Sequence, residues 1–208
     1  MRQRLSETLQ SAATDALEQR VKPVEALADD AKQVAAACHA MAVRIHRGGK
    51  LVCFGSGGPS SAAQHIAVEF VHPVIVGKRA LPAISLTGDV ATLTSIAGRE
   101  GYAQVYAHQL RYLAAPEDIA LGVSVDGNDP AVLAGLEAAA ELGMLTIALV
   151  GGDGGETAGN AAVHHVLVAR SDDPLVVKEV HVTAYHILWE LVHVLFEQPG
   201  VLDPEVIR

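Results

Sequence analysis

The sequence predicts an α/β protein in which helices cover both faces of a parallel sheet. Short runs that are apolar throughout alternate with longer segments whose apolar residues recur every three or four positions. Strands that are apolar on both faces are typical of a parallel sheet buried between two helix layers. Half of the 208 residues are hydrophobic but only 4% are aromatic, so we expect a core of Ala, Val, Leu and Ile.

The first element is a pair of helices. Residues 1–48 contain a single proline, Pro23, and apolar residues at helical spacing, and Gly48 and Gly49 end the second helix. A helical hairpin of this kind either packs against another subunit or covers one edge of the sheet, and the sequence leaves both open. We assign residues 1–48 to this hairpin, with a role in oligomerisation, residues 49–198 to the core domain and residues 199–208 to a tail.

Five strands and their helices follow. The predicted strands are Leu51–Phe54, Ala83–Leu86, Ile119–Val123, Leu145–Val150 and Val163–Val168. The predicted helices are Pro59–Phe70, Asp89–Ala97, Tyr102–Leu113, Pro130–Leu142 and Pro174–Phe196, with a short helix after the glycine-rich turn at 151–156. Because ligands bind beyond the carboxyl ends of such strands, we expect the functional site in the loops there.

Composition excludes several function classes. The formal charge of −9 lacks the basic footprint of a nucleic-acid-binding protein. No apolar run reaches the roughly 18 residues of a membrane span, and the start has no signal-peptide core. The two cysteines, Cys38 and Cys53, do not form a disulfide framework. The chain is therefore predicted to be a cytoplasmic protein that binds a small molecule and neither nucleic acid nor a membrane.

The loop after the first strand is rich in glycine and begins a helix. Ser56, Gly57 and Gly58 are followed by Pro59 and Ser60. Glycine lets a backbone approach a ligand, and a helix start offers free N–H groups to an anion. The dinucleotide fingerprint fails at Ser60, and the Walker lysine is absent. An anion or sugar loop and a simple tight turn both remain open.

Carboxylates and imidazoles recur on two predicted helices. His65 and Glu69 are four residues apart and share a helix face, while Glu179, His181 and His186 lie on the final helix. A carboxylate with an imidazole can divide base and acid duties in proton transfer, and the same groups can bind Zn²⁺. The alternative is a surface pair without function.

Four segments in order resemble the sugar isomerase (SIS) domain family, and within it the phosphoheptose isomerases. They are LVCFGSGGPSSAAQHIAVEF, DIALGVSVDGNDPAVL, LTIALVGGDGGETAG and VVKEVHVTAYHILWELV. The resemblance implies a flavodoxin-like α/β/α sandwich with a five-stranded parallel sheet, a homotetramer or dimer with active sites between subunits, and an aldose–ketose isomerisation through an enediol on a sugar phosphate of the sedoheptulose 7-phosphate type.

The resemblance also implies roles for individual residues. It makes Glu69 the catalytic base and His186 the catalytic acid, and it assigns His65, Glu69 and His186 to a zinc site. The fourth ligand position, normally glutamine, is Lys178, and a protonated amine cannot ligate a metal. Lys178 is instead expected to pair with Asp126, with Glu179 or with an anion of the ligand.

The loops that bind the phosphate in this family are altered. Ser56 replaces an asparagine and Pro59 a serine, and the loop after the third strand reads Ser124-Val125-Asp126-Gly127-Asn128-Asp129, in which carboxylates replace hydroxyls. Arg99 stands where the family has an acidic residue. The predicted substrate-binding residues are Ser56, Gly57, Gly58, Ser60, Arg99, Ser124, Asp126, Asp129 and Lys178.

These departures leave two functional hypotheses. The first is an isomerase whose ligand is held differently, with Arg99, Lys78 or Arg79 supplying positive charge. The second is a non-catalytic SIS module that binds a sugar phosphate or a protein partner. The β-branched segment Val71–Gly77, which follows Glu69, is predicted to form a lid or an interfacial segment.

Overall fold

The sheet has the predicted five parallel strands. The computed structural model describes residues 2–198 and 200–202, so most of the tail predicted at 199–208 lies outside the described residues. The strands are β1 (Leu51–Gly55), β2 (Ala83–Ser85), β3 (Ile119–Val123), β4 (Leu145–Gly151) and β5 (His165–Ala169). Their order is β2-β1-β3-β4-β5, which is the flavodoxin-like order and reverses direction between β1 and β3.

Helices cover both faces, as the apolar strands predicted. The helices are α1 (Arg2–Asp29), α2 (Ala31–His46), α3 (Gly58–Val71), α4 (Val90–Glu100), α5 (Val105–Leu113), α6 (Pro130–Glu141), α7 (Gly155–Ala158) and α8 (Pro174–Glu197). Successive strand residues face opposite layers. Leu51 and Cys53 of β1 pack in the core with α2, α3 and α8, whereas Val52 and Phe54 pack with α4, α5 and α6.

Several element boundaries differ from the predicted ones by one to three residues, among them the starts of α5 and β5 and the end of β2. The helix predicted from Tyr102 starts as a 3₁₀ turn at Tyr102–Gln104, after Gly101 has ended α4 at a φ of 88°. Strand β2 ends at Ser85 instead of Leu86. Strand β5 begins at His165 instead of Val163, because the His164 backbone N–H donates to the Thr146 hydroxyl and not to a strand neighbour.

The N-terminal helices pack on the core unequally. In α2, apolar residues from Val34 to Ile45 are buried, and Gln33 donates to the Val166 carbonyl of β5. By contrast, residues 6–19 of α1 are exposed. Near the end of α1, Arg20 pairs with Glu179 of α8. Half of the 28-residue first helix is therefore left uncovered by the rest of this chain. Of the helices described, none is both long and apolar enough to cross a membrane.

The register of β1 against β3 places the functional loops side by side. Leu51 pairs with Ile119 and Gly55 pairs with Val123, so the two strands end at the same level. The loop that leads from β1 into α3 therefore adjoins the loop that leads from β3 into α6. Both cysteines are buried free thiols, and burial raises the pKa of Cys38 to about 12.

Candidate functional site

Helix α3 carries the first two site residues. It begins after Gly57, whose φ of 64° reverses the chain, and Pro59 occupies its first turn. Its buried residues, Ala62, Ala63, Ile66, Ala67 and Phe70, form one apolar face. That face fixes the rotation of the helix on the sheet, and His65 and Glu69 then lie on the side that faces α8.

His65, Glu69 and His186 converge, and we call them the catalytic cluster after the roles that the resemblance predicts for Glu69 and His186. One ligand atom from each lies within 4.8 Å of those of the other two. The His65 Nε2 and the Glu69 Oε1 are 3.1 Å apart, and the Glu69 side chain is only 12% exposed. The His186 ring meets the His65 ring edge to face, with centroids 5.6 Å apart.

Tyr185 and Trp189 of α8 hold this cluster, although the sequence reasoning did not select them. The Tyr185 hydroxyl and the His65 Nδ1 are 2.6 Å apart, and the Trp189 indole N–H donates to the Glu69 carbonyl at 2.9 Å. Burial and the charge of Glu69 raise the pKa of Tyr185 to about 12, so the hydroxyl keeps its proton. The sequence feature that could have identified Tyr185 is a polar aromatic residue directly before His186.

The catalytic cluster opens into a cavity of about 530 Å³. Trp189 lines it from α8, and Val74 and Ile75 line it from the segment after α3. Val76 of the same segment is fully exposed. Lys78 also lines the cavity and forms an ion pair of 2.6 Å with Glu197. The segment predicted as a lid or interface therefore lies at the edge of the cavity.

The loop after β3 uses its own side chains to satisfy its backbone. Asp129 caps α6 by accepting from the N–H groups of Ala131 and Val132 at 2.8 and 3.0 Å. Asp126 accepts from the Asn128 N–H, and Ser124 from the Gly127 N–H, each at 3.0 Å. Four N–H groups that could have bound an anion are thus occupied. Ser56, Ser124, Asp126 and Asp129 line a polar cavity of about 250 Å³.

An apolar cavity of about 260 Å³ lies between the start of α3 and the start of α8. Gly58 and Pro59 line one side, Lys178 and His181 the other. His181 is 4% exposed, and its Nε2 has no hydrogen-bond partner among the described residues. Burial lowers the pKa of His181, and the Val150 carbonyl opposes this with a smaller effect.

The predicted substrate-binding residues that line a cavity are divided between two adjoining cavities, which share Pro59 and Val125. Lys178 pairs with neither Asp126 nor Glu179, which corrects two of its three expected partners, since Glu179 pairs with Arg20 and Asp126 with its own loop. The Ser60 hydroxyl donates to the Gly57 carbonyl at 2.6 Å. Arg99 is exposed in the last turn of α4 and lines none of these three cavities.

Comparison with known proteins gives the family. A family model described as the SIS domain matches residues 15–151, which include the glycine-rich loop and His65 and Glu69 of α3. The chain belongs to the SIS domain family. The predicted resemblance and the predicted flavodoxin-like fold are thereby confirmed.

Relatives of this SIS domain include phosphoheptose isomerases. The chain is 43% identical over 167 residues to that of Desulfovibrio desulfuricans, with 79% of this chain and 78% of the relative covered. It is 41% identical over 177 residues to that of Solidesulfovibrio magneticus, with 85% of each chain covered.

Solved structures agree with these relatives. The phosphoheptose isomerase of Neisseria gonorrhoeae superposes with a TM-score of 0.81 at 26% identity, over 88% of this chain and 98% of that one. That of Francisella tularensis superposes with a TM-score of 0.80 at 29% identity, over 90% and 97%.

Proposed function

We propose that this SIS domain isomerises a sugar phosphate of the sedoheptulose 7-phosphate type between its aldose and ketose forms. The observation that carries the proposal is the convergence of Glu69 and His186 on one cavity of about 530 Å³. The relatives that cover most of the chain are named phosphoheptose isomerases, which supports the same reaction class.

The reaction moves protons within one molecule. Glu69 removes the proton from the carbon beside the carbonyl and returns it to the former carbonyl carbon. His186 moves a proton between the two oxygens, so the intermediate is an enediol and no atom is gained or lost. The Glu69 side chain is 12% exposed, so bulk water has little access to the proton while it is transferred.

His65 and Tyr185 position Glu69 in this scheme. A protonated Tyr185 hydroxyl donates to the His65 Nδ1, which leaves the proton of a neutral imidazole on Nε2 to be donated to Glu69. This chain of two hydrogen bonds holds the carboxylate against rotation. The hydrogen bond from the Trp189 indole to the backbone carbonyl of Glu69 fixes the turn of α3 that carries the carboxylate.

The catalytic cluster also fits a divalent ion, and we extend the proposal to zinc. Two imidazoles and one carboxylate are a common zinc ligand set that leaves a position open for substrate. With zinc bound, the His65 Nε2 would be the ligand atom and Nδ1 would carry the ring proton, so Nδ1 would donate to the Tyr185 hydroxyl and the hydrogen bond would run opposite to its direction in the metal-free cluster. A bound zinc ion supplies polarisation of a carbonyl oxygen. Lys178 would not be part of this site, because an ammonium repels a cation.

The assembly in this proposal is a homotetramer in the cytoplasm. Leu9, Leu17 and Val21 are exposed apolar residues of α1, and their spacing places them along one side of the helix. An uncovered apolar helix face is a typical subunit contact. The exposed Val76 beside the catalytic cavity is a second surface of this kind.

Two variants that remove a proton-transfer group test the reaction. Glu69→Gln and His186→Gln should each lower kcat for sedoheptulose 7-phosphate by about 100-fold or more, since each removes a proton-transfer group. Both should keep the melting temperature of the wild type. Glu141→Gln and His39→Gln, at exposed positions of α6 and α2, are the matched controls and should keep full activity.

The same preparations separate the alternatives. If the wild type binds sugar phosphates in calorimetry but does not isomerise them, the protein is a non-catalytic SIS module and the proposal fails. Elemental analysis tests zinc, which should be present in the wild type and reduced in His186→Gln. A wild type that binds no zinc when titrated with it would contradict the zinc site.

A further inference from the structure

We propose that the anionic group of the ligand is bound by Lys178, in the apolar cavity between the starts of α3 and α8, and not by the loop after β3. This inference rests on the proposed function, which it extends by locating the charged end of the substrate. It makes Lys178 and His181 specificity-determining residues for a polyhydroxylated anion.

The loop after β3 is unsuited to an anion. Asp129 and Ser124 accept from three of its N–H groups, and Asp126 accepts from a fourth. A phosphate in the adjoining polar cavity of about 250 Å³ would find these donors occupied and would lie beside two carboxylates. The phosphate and the two carboxylates carry like charges and would repel each other, so this cavity disfavours the anionic end of a ligand.

The apolar cavity has the opposite character. Lys178 is exposed and lines it, and among the residues that the structure describes no carboxylate pairs with its ammonium. The N-terminus of α3, at Gly58, faces it across the cavity, and a helix N-terminus favours an anion. Apolar neighbours such as Ala62 and Val123 complete the lining.

His181 is the second observation that points to a ligand. The residue is only 4% exposed and lines the same cavity. Its Nε2 makes no hydrogen bond of good geometry to a described residue, although the Val150 carbonyl affects the pKa of the ring. A buried polar atom without a partner is costly, so a ligand group that pairs with it is favoured. A sugar hydroxyl both donates and accepts, and therefore satisfies Nε2 in either tautomer.

The apolar cavity also lies at a suitable distance from the catalytic cluster. Lys178 and His186 are eight residues apart on α8, which corresponds to about 12 Å along the helix axis. Helix α3 runs alongside this part of α8 from Gly58 to Glu69. Ala62 lines the apolar cavity, and His65 contacts Tyr185, the residue before His186. An extended heptose phosphate is long enough to span the distance between Lys178 and His186.

Binding measurements on Lys178 variants test the inference. Lys178→Met should weaken the calorimetric affinity for sedoheptulose 7-phosphate by about tenfold or more and abolish the thermal shift produced by inorganic phosphate. Lys178→Arg should retain most of the affinity. Unphosphorylated sedoheptulose should bind Lys178→Met and the wild type equally. Lys32→Met, at an exposed position of α2, is the matched control and should bind like the wild type.

Two competing variants make the outcome decisive. Lys78→Met and Arg99→Met remove two of the three other cations expected to hold the anion. Loss of phosphate binding in either of them, with binding retained in Lys178→Met, overturns the inference, as does a wild type that binds no anion. Failure of the proposed isomerisation is distinguishable, because Glu69→Gln should still bind the sugar phosphate with a dependence on Lys178 even if no variant turns it over.

Discussion

Tyr185 controls the geometry of the catalytic cluster through one hydroxyl group. We expect Tyr185→Phe to lower kcat by about tenfold and to leave KM nearly unchanged, because the His65 ring loses the partner that orients it toward Glu69. Steady-state kinetics measure this split between kcat and KM. Tyr112→Phe, at an exposed position of α5, is the control. A variant with wild-type kcat, or with a loss in KM alone, would contradict the positioning role.

His181 makes stability depend on pH. Burial lowers its pKa below the ordinary value of 6.5, so just below that pH the unfolded chain binds more protons than the folded one. The free energy of unfolding therefore falls as the pH drops through 6.5 toward the lower pKa of the folded state.

Calorimetric melting of His181→Gln tests this dependence. Between about pH 7 and about pH 5, the melting temperature of the variant should decline less steeply than that of the wild type. His39→Gln, at an exposed position, should decline as the wild type does. Burial also lowers the pKa of His165, so part of the decline in melting temperature should remain in every variant. Equal slopes for His181→Gln and the wild type would refute the assignment.

Individual site residues differed in how far the sequence could predict them. The catalytic cluster was predictable, because the i, i+4 spacing of His65 and Glu69 already places them on one face and the resemblance supplied His186. Tyr185 was not, because a tyrosine in an apolar helix is indistinguishable from core until a partner reaches it. Arg99 was assigned from its place in the family motif, but its helix carries it away from the cavities in the single chain.

Loop geometry after β3 depends on a single glycine. Gly127 has a φ of 76°, and a Cβ there would lie 2.0 Å from the Gly154 carbonyl oxygen, which belongs to backbone and cannot yield. Gly127→Ala should reduce the free energy of unfolding by about 1–3 kcal/mol. Chemical denaturation measures this.

Gly98→Ala provides a control of opposite sign. Gly98 lies in α4, where a Cβ would meet nothing within 4 Å, so the alanine should stabilise the protein by about 0.5–1 kcal/mol. If Gly127→Ala unfolds at the same denaturant concentration as the wild type, the close packing of the loop after β3 against the turn before α7 is not as described.

At the level of elements, the strands and long helices were predictable and their ends were less so. Uniformly apolar runs identify β3 and β4 because both faces of these strands are buried. The start of β5 depended on a side chain, since Thr146 takes the His164 N–H out of the ladder. Such a bond joins residues that are distant in sequence, and periodicity contains no information about it.

The whole molecule presents an apolar surface on α1 that the single chain does not cover. Light scattering coupled to size-exclusion chromatography should give the mass of four chains. Leu17→Glu, in which a charge replaces a leucine that is 68% exposed, should yield smaller species with unchanged secondary structure. Leu113→Glu, at an exposed position of α5, should keep the wild-type mass. A monomeric wild type would refute the assembly.

The architecture of the whole chain followed from composition and strand pattern, whereas its assembly did not. Five apolar strands separated by helices allow few topologies once crossovers are right-handed, and the observed order is one of them. The role of residues 1–48 stayed open because an exposed helix and a covered one have the same periodicity. Which surface of α1 becomes buried is a property of two chains.

Helix α8 runs without a break from Pro174 to Glu197, and this continuity has a consequence for selectivity. Lys178 and His186 lie on the same unbroken helix. The separation between the ammonium that binds the substrate's anion and the groups that react with the sugar is therefore fixed by the pitch of the helix. A helix does not shorten to suit a smaller molecule. A shorter sugar phosphate whose phosphate is bound by Lys178 would not reach the reacting groups, so the length of α8 between Lys178 and His186 would select substrates by the length of their carbon chain.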